Sequence, residues 1–312
     1  MISIAMTTYN GEKYIKQQLD SILNQTYTDI ELIICDDCSV DNTLNILKEY
    51  SKKDFRIKIF KNENNLGFKK NFEKAISLCH GEYIALSDQD DIWTNTHLEI
   101  LLKSIEGYSV SCGNAEMIDG NGNTMNKFLN EVDGLIYIKD LNKLSYRIMF
   151  NSNCFQGASM LFKSNYLKKL LPIPDEIPFH DVWFSLCASI EKKLNYTFQV
   201  VTKYRQHGNN VTFNNHNKRK EKGIQLLKKY ILFLKNGMKS DRLSYSQHLK
   251  IIYNETSFEL NEISMILENL MFKRHIIKTL FWFWNNYEYI MTQKKHKNFI
   301  IHFIIWLKWK FI

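Results

Sequence analysis

Three carboxylates within four residues, Asp88-Gln89-Asp90-Asp91, form the densest chemical grouping in the chain, and they follow directly on an apolar run at 83–86. Side by side they repel one another unless a cation lies among them. Mg²⁺ or Mn²⁺, held by one or two carboxylates and completed by the oxygens of a phosphorylated ligand, meets that need. An acidic turn capping the next helix is the other reading of the same residues. A second acidic pair, Asp36-Asp37, closes the apolar run at 30–35, with Ser39, Asp41, Asn42 and Thr43 close behind. Ser39 or Asp41 can cap the following helix, which leaves Asp37 without an assignment; a carboxylate at such an edge can accept the N3–H of a pyrimidine base. Cys35 and Cys38 have the spacing of a redox or zinc pair. No second ligand pair follows at zinc spacing, and the two aspartates between the thiols would raise their pKa values, so both read as buried or incidental cysteines.

The elements that must position these groups are legible from hydrophobic pattern. Runs at 2–6, 30–35, 57–60 and 83–86 have the length and the β-branched or aromatic content of strands buried on both faces. Amphipathic helices separate them: 12–24 places Tyr14, Ile15, Leu19, Ile22 and Leu23 on one stripe, 43–50 does so with Leu44, Ile46 and Leu47, and 68–79 with Phe72, Ala75, Ile76 and Cys79. Repeated βαβ units of this kind predict an α/β fold, with a mostly parallel sheet, flanking helices and right-handed crossovers. Ligands of such sheets bind beyond the carboxyl ends of the strands, where the polar clusters at 7–10, 36–41 and 88–91 all fall. After Trp93 the elements are shorter: a helix at 95–105, added strands near 109–113, 134–138 and 156–162, a helix at 181–191 and a strand at 196–204. From about Lys218 the pattern is helical, with no proline after Pro178. The boundary falls near 215 within an Asn-rich stretch, dividing the chain into a domain of residues 1–215 and a helical C-terminal extension of residues 216–312.

Charge divides at the same place. Residues 218–312 hold 18 Lys and Arg against 7 Asp and Glu, so of the net +8 the preceding residues contribute a negative share. The same segment holds 17 of the 42 aromatic residues, among them Phe281, Trp282, Phe283, Trp284, Trp306 and Trp309, interleaved with lysines. Basic and aromatic together suit an anionic membrane surface; a solvated basic helical tail is the plainer alternative. Nucleic acid is not expected, since no helix-turn-helix, zinc-finger or RNP pattern accompanies the charge. The first residues lack a basic leader and an h-region, and no run reaches roughly 18 apolar residues. These features predict a cytoplasmic protein, peripheral on the inner face of the cell membrane, with its six cysteines reduced.

Read in order, Thr7-Thr8-Tyr9-Asn10, Ser21-Ile22-Leu23-Asn24-Gln25-Thr26-Tyr27, Glu31-Leu32-Ile33-Ile34-Cys35-Asp36-Asp37-Cys38-Ser39, Asn65-Leu66-Gly67, Gly81-Glu82-Tyr83-Ile84 and Asp88-Gln89-Asp90-Asp91 resemble the family 2 glycosyltransferases of the GT-A fold, over roughly 210 residues. The resemblance implies an inverting transfer from a nucleoside-diphosphate sugar. It places Thr7, Tyr9 and Asp37 at the nucleobase, Asp88 at the ribose and Asp90 on Mg²⁺ or Mn²⁺, with Asp91 a flanking acid. A donor-binding basic residue falls at Lys70 or its neighbour Lys69. Two later segments, Phe179-His180-Asp181-Val182-Trp183 and Tyr204-Arg205-Gln206-His207-Gly208-Asn209-Asn210-Val211, resemble the narrower rhamnosyltransferase-like branch, with Gln156-Gly157-Ala158 on an acceptor-side strand before them.

That branch implies Asp181 as the general base, a role compatible with capping the helix at 182–191. His207 is a metal ligand or, protonated, a partner of the diphosphate; Arg205 is a phosphate contact or a structural residue; Gln156, Gly157 and Trp183 lie on the acceptor or diphosphate side. dTDP-L-rhamnose is the favoured donor and a UDP-hexose the second, with a lipid-linked oligosaccharide of a capsule or surface polysaccharide as acceptor. Two departures stand out. Residue 38 is Cys where the family more often has Gly or Asn, and Thr94-Asn95 replaces the proline that commonly follows the tryptophan after the acidic motif. The rivals are a scaffold of the same fold without turnover and a nucleotidyltransferase; the latter would want a Gly-rich phosphate loop near the N-terminus, which residues 7–12 do not provide.

Overall fold

Consecutive rather than alternating apolar residues make β1 (Ile2–Thr8) and β2 (Ile30–Asp36) buried along their whole length, a pattern suited only to strands covered by helices on both faces. The covering helices are α1 (Ile15–Leu23), α2 (Thr43–Lys53) and α3 (Phe68–Ser77), and β3 (Ile57–Lys61) and β4 (Tyr83–Ser87) complete the first half of the sheet. In this computed structural model residues 1–132, 148, 155–175, 177 and 179–208 are described. The strand expected at 134–138 and the helical extension expected at 216–312 lie outside them.

The chain continues through β5 (Ile92–Trp93), α4 (His97–Ser104), β6 (Val110–Ile118), β7 (Thr124–Phe128) and α5 (Leu129–Val132). A 3-10 turn (Gly157–Ser159), β8 (Met160–Lys163), α6 (Ser164–Lys169), α7 (His180–Ile190) and β9 (Leu194–Arg205) follow. The strands form one sheet in the order β3-β2-β1-β4-β8-β6-β9-β5, with β7 paired to β6. The pairs among β1 to β4 are parallel. β8 is antiparallel to both β4 and β6, and β6 is parallel to β9. A strand antiparallel to both neighbours leaves those neighbours pointing the same way, so β1, β2, β4, β6 and β9 all end on one rim. Every acidic and basic group singled out above at a strand end is thereby delivered to that rim.

Ile2, Ile4, Met6, Leu32, Ile34 and Ala85 from the strands and Leu19, Ile22, Ile46 and Leu47 from the helices build the main core. Burial of this kind yields about 25 cal/mol per Å² of apolar surface and holds the rim's backbone rigid. The sequence pattern misjudged the second half in places. β7 is exposed at four of its five positions, so it carries no alternation to read; it forms because Asp119 accepts hydrogen bonds from the N–H groups of Asn121 and Asn123, and Gly122 takes φ +89° to close the hairpin. The expected strand at 156–162 starts at Met160, after the 3-10 turn. α7 begins at His180 with Phe179 as its N-cap, extended at φ −138° and ψ 144°. Asp181 therefore lies inside the first turn, which rules out the alternative that it caps the helix.

Gly113 sits where the β6–β9 register shifts, and a methyl group there would overlap both γ-methyls of buried Val201. Gly113→Ala is predicted to cost about 1–3 kcal/mol in urea unfolding; an unchanged midpoint would show that the two strands can separate without penalty.

Candidate active site

Two loops at the rim are locked together before any catalytic group is considered. Asp36 is buried and accepts hydrogen bonds from Thr8 Oγ1 (2.9 Å) and from Ser39 N and Oγ (3.0 and 2.6 Å). Asn10 N donates to Ser39 Oγ and Val40 N donates to Asn10 Oδ1, while Glu12 N donates to Asp41. The turn this requires puts Cys38 at φ +66°. Left-handed backbone is the conformation that Gly and Asn tolerate best, in keeping with the resemblance, which implies Gly or Asn more often than Cys at this position.

Asp37 is 3% exposed, and its carboxylate accepts from Asn62 Nδ2 (2.7 Å), Leu66 N (2.8 Å) and Gly67 N (2.9 Å). It thus grips the loop that leads into α3. Asn62 in turn donates to Asn71 Oδ1 and accepts from Lys74 Nζ at 2.8 Å. Beside this buried cluster stand Thr7, nearly buried, and Tyr9, 50% exposed. Neither lysine of the expected donor pair stands alone. Lys69 Nζ donates to the carbonyls of Asp175 and Ile177, and Lys70 Nζ pairs with Glu73 at 3.0 Å.

The acidic loop after β4 is held from below. Arg205, at the end of β9 and 1% exposed, donates from Nε to the Asp90 carbonyl (2.7 Å), from Nη2 to Gln17 Oε1 (2.6 Å) and from its backbone N to Asp91 Oδ1 (3.0 Å). Asp91 is buried and also accepts from Gln156 Nε2 at 2.8 Å. The guanidinium is engaged by protein oxygens and lies 4.6 Å from the centre of the Tyr14 ring, which also stacks on His207 with centroids 4.9 Å apart. His207 Nε2 reaches Asp90 Oδ2 at 2.8 Å. Gln89 pairs with the backbone of Tyr9 in both directions.

Asp181 approaches from α7, its Oδ1 accepting from Val182 N. A Cβ at Gly157 would come within 2.6 Å of His180 Nε2, so glycine there lets the start of α7 settle against the 3-10 turn. Trp183 is buried and donates from Nε1 to the Leu170 carbonyl at 2.8 Å, fixing the helix. The structure therefore brings together Asp88, Asp90, Asp91, Gln156, Asp181 and His207, and sets Trp183 and Arg205 behind them as supports. Tyr14, Gln17, Gln89 and Asn62 belong to the site and were not singled out by sequence: Tyr14 reads as an apolar helix position, and Gln89 as a spacer between aspartates.

Electrostatics marks the centre of the site. Burial pushes Asp88 up to about 8, with the negative charges of Asp90 and Asp181 adding to it. Burial also raises Asp91, helped by Asp90 and Asp88. Among the described residues no group of three or more His, Cys, Asp or Glu side chains is arranged to share an ion. Asp90 and His207 offer two adjacent donors, one oxygen and one nitrogen. Two protein donors fit a Mg²⁺ or Mn²⁺ ion that takes its remaining ligands from phosphate and water.

Residues 3–171 match the family model described as Glycosyl transferase family 2, a span that ends before Asp181, Arg205 and His207. The uncharacterized glycosyltransferase MJ1057 of Methanocaldococcus jannaschii is 34% identical over 211 residues, covering 66% of this chain and 70% of that protein. The dTDP-rhamnosyl transferase RfbG of Shigella flexneri is 29% identical over 218 residues, covering 66% and 72%. Among solved structures, S. aureus TarS in complex with UDP-GlcNAc is similar with a TM-score of 0.56 at 19% identity, covering 82% of this chain and 73% of that one. The mannosyltransferase PcManGT from Pyrobaculum calidifontis, in complex with GDP-Man and Mn²⁺, has a TM-score of 0.53 at 13% identity, covering 99% and 84%.

The raised carboxyl groups set a pH dependence. In the native state Asp88 keeps a proton up to about pH 8 that the unfolded chain releases near 3.8, so native stability falls as pH rises across that window. His97 and His180, both pushed down to about 3 by burial, act oppositely between there and 6.5. The fall is thus clearest from about 6.5 to 8. Metal-free protein is predicted to melt at a lower temperature at pH 8 than at pH 6.5, and Mn²⁺ with a nucleoside diphosphate to stabilise it more at pH 8; equal stabilisation at both would remove Asp88 from the cation's surroundings.

Proposed function

Because the chain belongs to glycosyl transferase family 2 and has the GT-A fold, we propose that it is an inverting, metal-dependent enzyme that moves a sugar from a nucleoside diphosphate to a hydroxyl of a lipid-linked glycan. The observation that carries the reading is the pairing of Asp90 with His207 at 2.8 Å on the rim where Asp88 and Asp181 converge. Tyr9 and Thr7 flank the nucleobase. Asp37, whose carboxylate already carries three hydrogen bonds, orders the loop beside the base and has one lone-pair direction left for its polar edge. Lys70 would reach the donor only by leaving Glu73.

Asp90 and His207 would hold the ion, and Asp88 lies on the ribose side. Bound Mg²⁺ or Mn²⁺ would supply a Lewis acid against the charge that grows on the departing diphosphate. Asp181 takes the proton from the acceptor hydroxyl as that oxygen attacks the anomeric carbon from the face opposite the diphosphate, and a single displacement inverts the centre. Gly157 and Trp183 fix the helix that carries Asp181, and Gln156 with Arg205 fixes the loop that carries Asp88 and Asp90. Similarity to RfbG, a dTDP-rhamnosyl transferase, and the His180-Asp181-Val182-Trp183 and Tyr204-Arg205-Gln206-His207 segments favour dTDP-L-rhamnose, with a UDP-hexose second.

A lipid-linked acceptor of surface or capsular polysaccharide synthesis would be met at the inner face of the cell membrane, with the basic, aromatic segment 216–312 as the contact. Among the described residues no helix is long and apolar enough to cross a membrane. The full chain should therefore bind vesicles containing anionic lipid, release at high salt and ignore neutral vesicles; binding insensitive to lipid charge would defeat this part of the proposal.

The chemical step has its own test. Asp181→Asn should lower kcat by about 10²–10⁴-fold while calorimetry finds nucleoside-diphosphate affinity in Mn²⁺ nearly unchanged. Retained turnover would remove Asp181 as the base, and absence of any nucleotide binding by the unaltered protein would remove the donor reading itself.

A further inference from the structure

We propose that Gln89 is a positioning residue that joins the loop carrying Tyr9 to the loop carrying Asp88 and Asp90, so that nucleobase and cation are bound by one rigid unit; the inference rests on the donor reading above. The central residue of an acidic motif has no evident duty in holding a cation. Here its amide acts as a piece of β-ladder. Tyr9 N donates to Gln89 Oε1 at 2.8 Å, and Gln89 Nε2 donates to the Tyr9 carbonyl at 3.0 Å. Both backbone polar groups of Tyr9 are thus held by one side chain eighty positions away in sequence.

Gly11 supplies an independent sign that this approach is built in. A methyl group at Gly11 would overlap Gln89 Oε1 and crowd its Cδ at 2.6 Å. Among the described residues the glycines with positive φ are Gly67, Gly107 and Gly122, so Gly11 is needed for room and not for backbone freedom. The Tyr9 ring, half exposed, has little core packing to aim it. Its direction follows from the backbone, which Asp36 and Ser39 hold at Thr8 and Asn10 and Gln89 holds at Tyr9 itself. An amide is the group that can do this: a carboxylate at the same place would accept from Tyr9 N but set an oxygen against the Tyr9 carbonyl and add a charge beside Asp88 and Asp90.

The test is a mutant cycle of Gln89→Ala, Gly11→Ala and the double variant, with UDP and dTDP as probes in saturating Mn²⁺, read by calorimetry alongside thermal melts. If both substitutions act by opening the same clamp, each weakens nucleotide binding by about tenfold, and the double variant is no weaker than either single one, because removing the Gln89 side chain clears the space that the Gly11 methyl needs. With an active donor, KM rises while kcat at saturation holds. Gln89→Met keeps the length of the side chain and loses both hydrogen bonds, and should match Gln89→Ala should that variant fold poorly. Single variants that bind as the unaltered protein does, or losses that add in the double variant to about a hundredfold, overturn the inference and leave the donor reading intact. An unaltered protein that binds neither nucleotide overturns both.

Discussion

Like charges forced together at the end of a strand are the constraint around which this molecule is organised. Asp88, Asp90 and Asp91 leave β4 within four residues, and Asp181 is brought close enough to raise Asp88 further. Asp90 is met by the His207 imidazole at 2.8 Å, while the guanidinium nearby is held differently. Arg205 lies beneath the loop, and its side chain is spent on a carbonyl of the loop and on Gln17. A buried guanidinium with its donors engaged avoids the large cost of an unpaired buried cation and anchors the backbone, and its charge partly offsets the rise that burial imposes on Asp91. Asp91 is turned inward to Gln156 and to the Arg205 backbone, while Asp90 is met by His207.

The sheet makes that arrangement possible. With β8 antiparallel on both sides, β4 and β9 run in the same direction although they belong to different halves. The end of β9 can then pass under the loop after β4, and His207, two residues further, can rise beside Asp90. Tyr14 fills the angle between Arg205 and His207 from the start of α1. Three elements distant in sequence meet over one aspartate, and each is held by packing rather than by the ligand.

How much of this was legible beforehand varies with the physics involved. The parallel half could be read because strands buried on both faces leave consecutive apolar runs, and 2–6 and 30–35 leave little else to conclude. The acidic loop announces itself by charge density alone. Roles that depend on which way a side chain turns could not be read. Nothing in the order Lys69-Lys70 says that one ammonium ties down the 174–177 carbonyls while the other pairs with Glu73. Nothing in Arg205 distinguishes a cation facing phosphate from one buried under a loop, since both require the same residue. Asp181 before an apolar helix resembles a cap, and only the extended backbone of Phe179 moves the helix start ahead of it. β7 is missing from the hydrophobic pattern because its pairing is set by a turn, with its side chains turned to solvent.

The shared grip on Asp91 also limits how such enzymes can be recombined. Gln156 and Arg205 come from the half of the chain that would meet the acceptor, yet what they hold is the loop of the donor half. A chimera that kept the first ninety residues and borrowed a foreign acceptor module would bury a carboxylate that had lost its amide and its N–H. Exchange of acceptor preference by domain shuffling should therefore succeed where the borrowed module brings an equivalent Gln and a free backbone N–H at the end of its last strand, and yield insoluble protein where it does not.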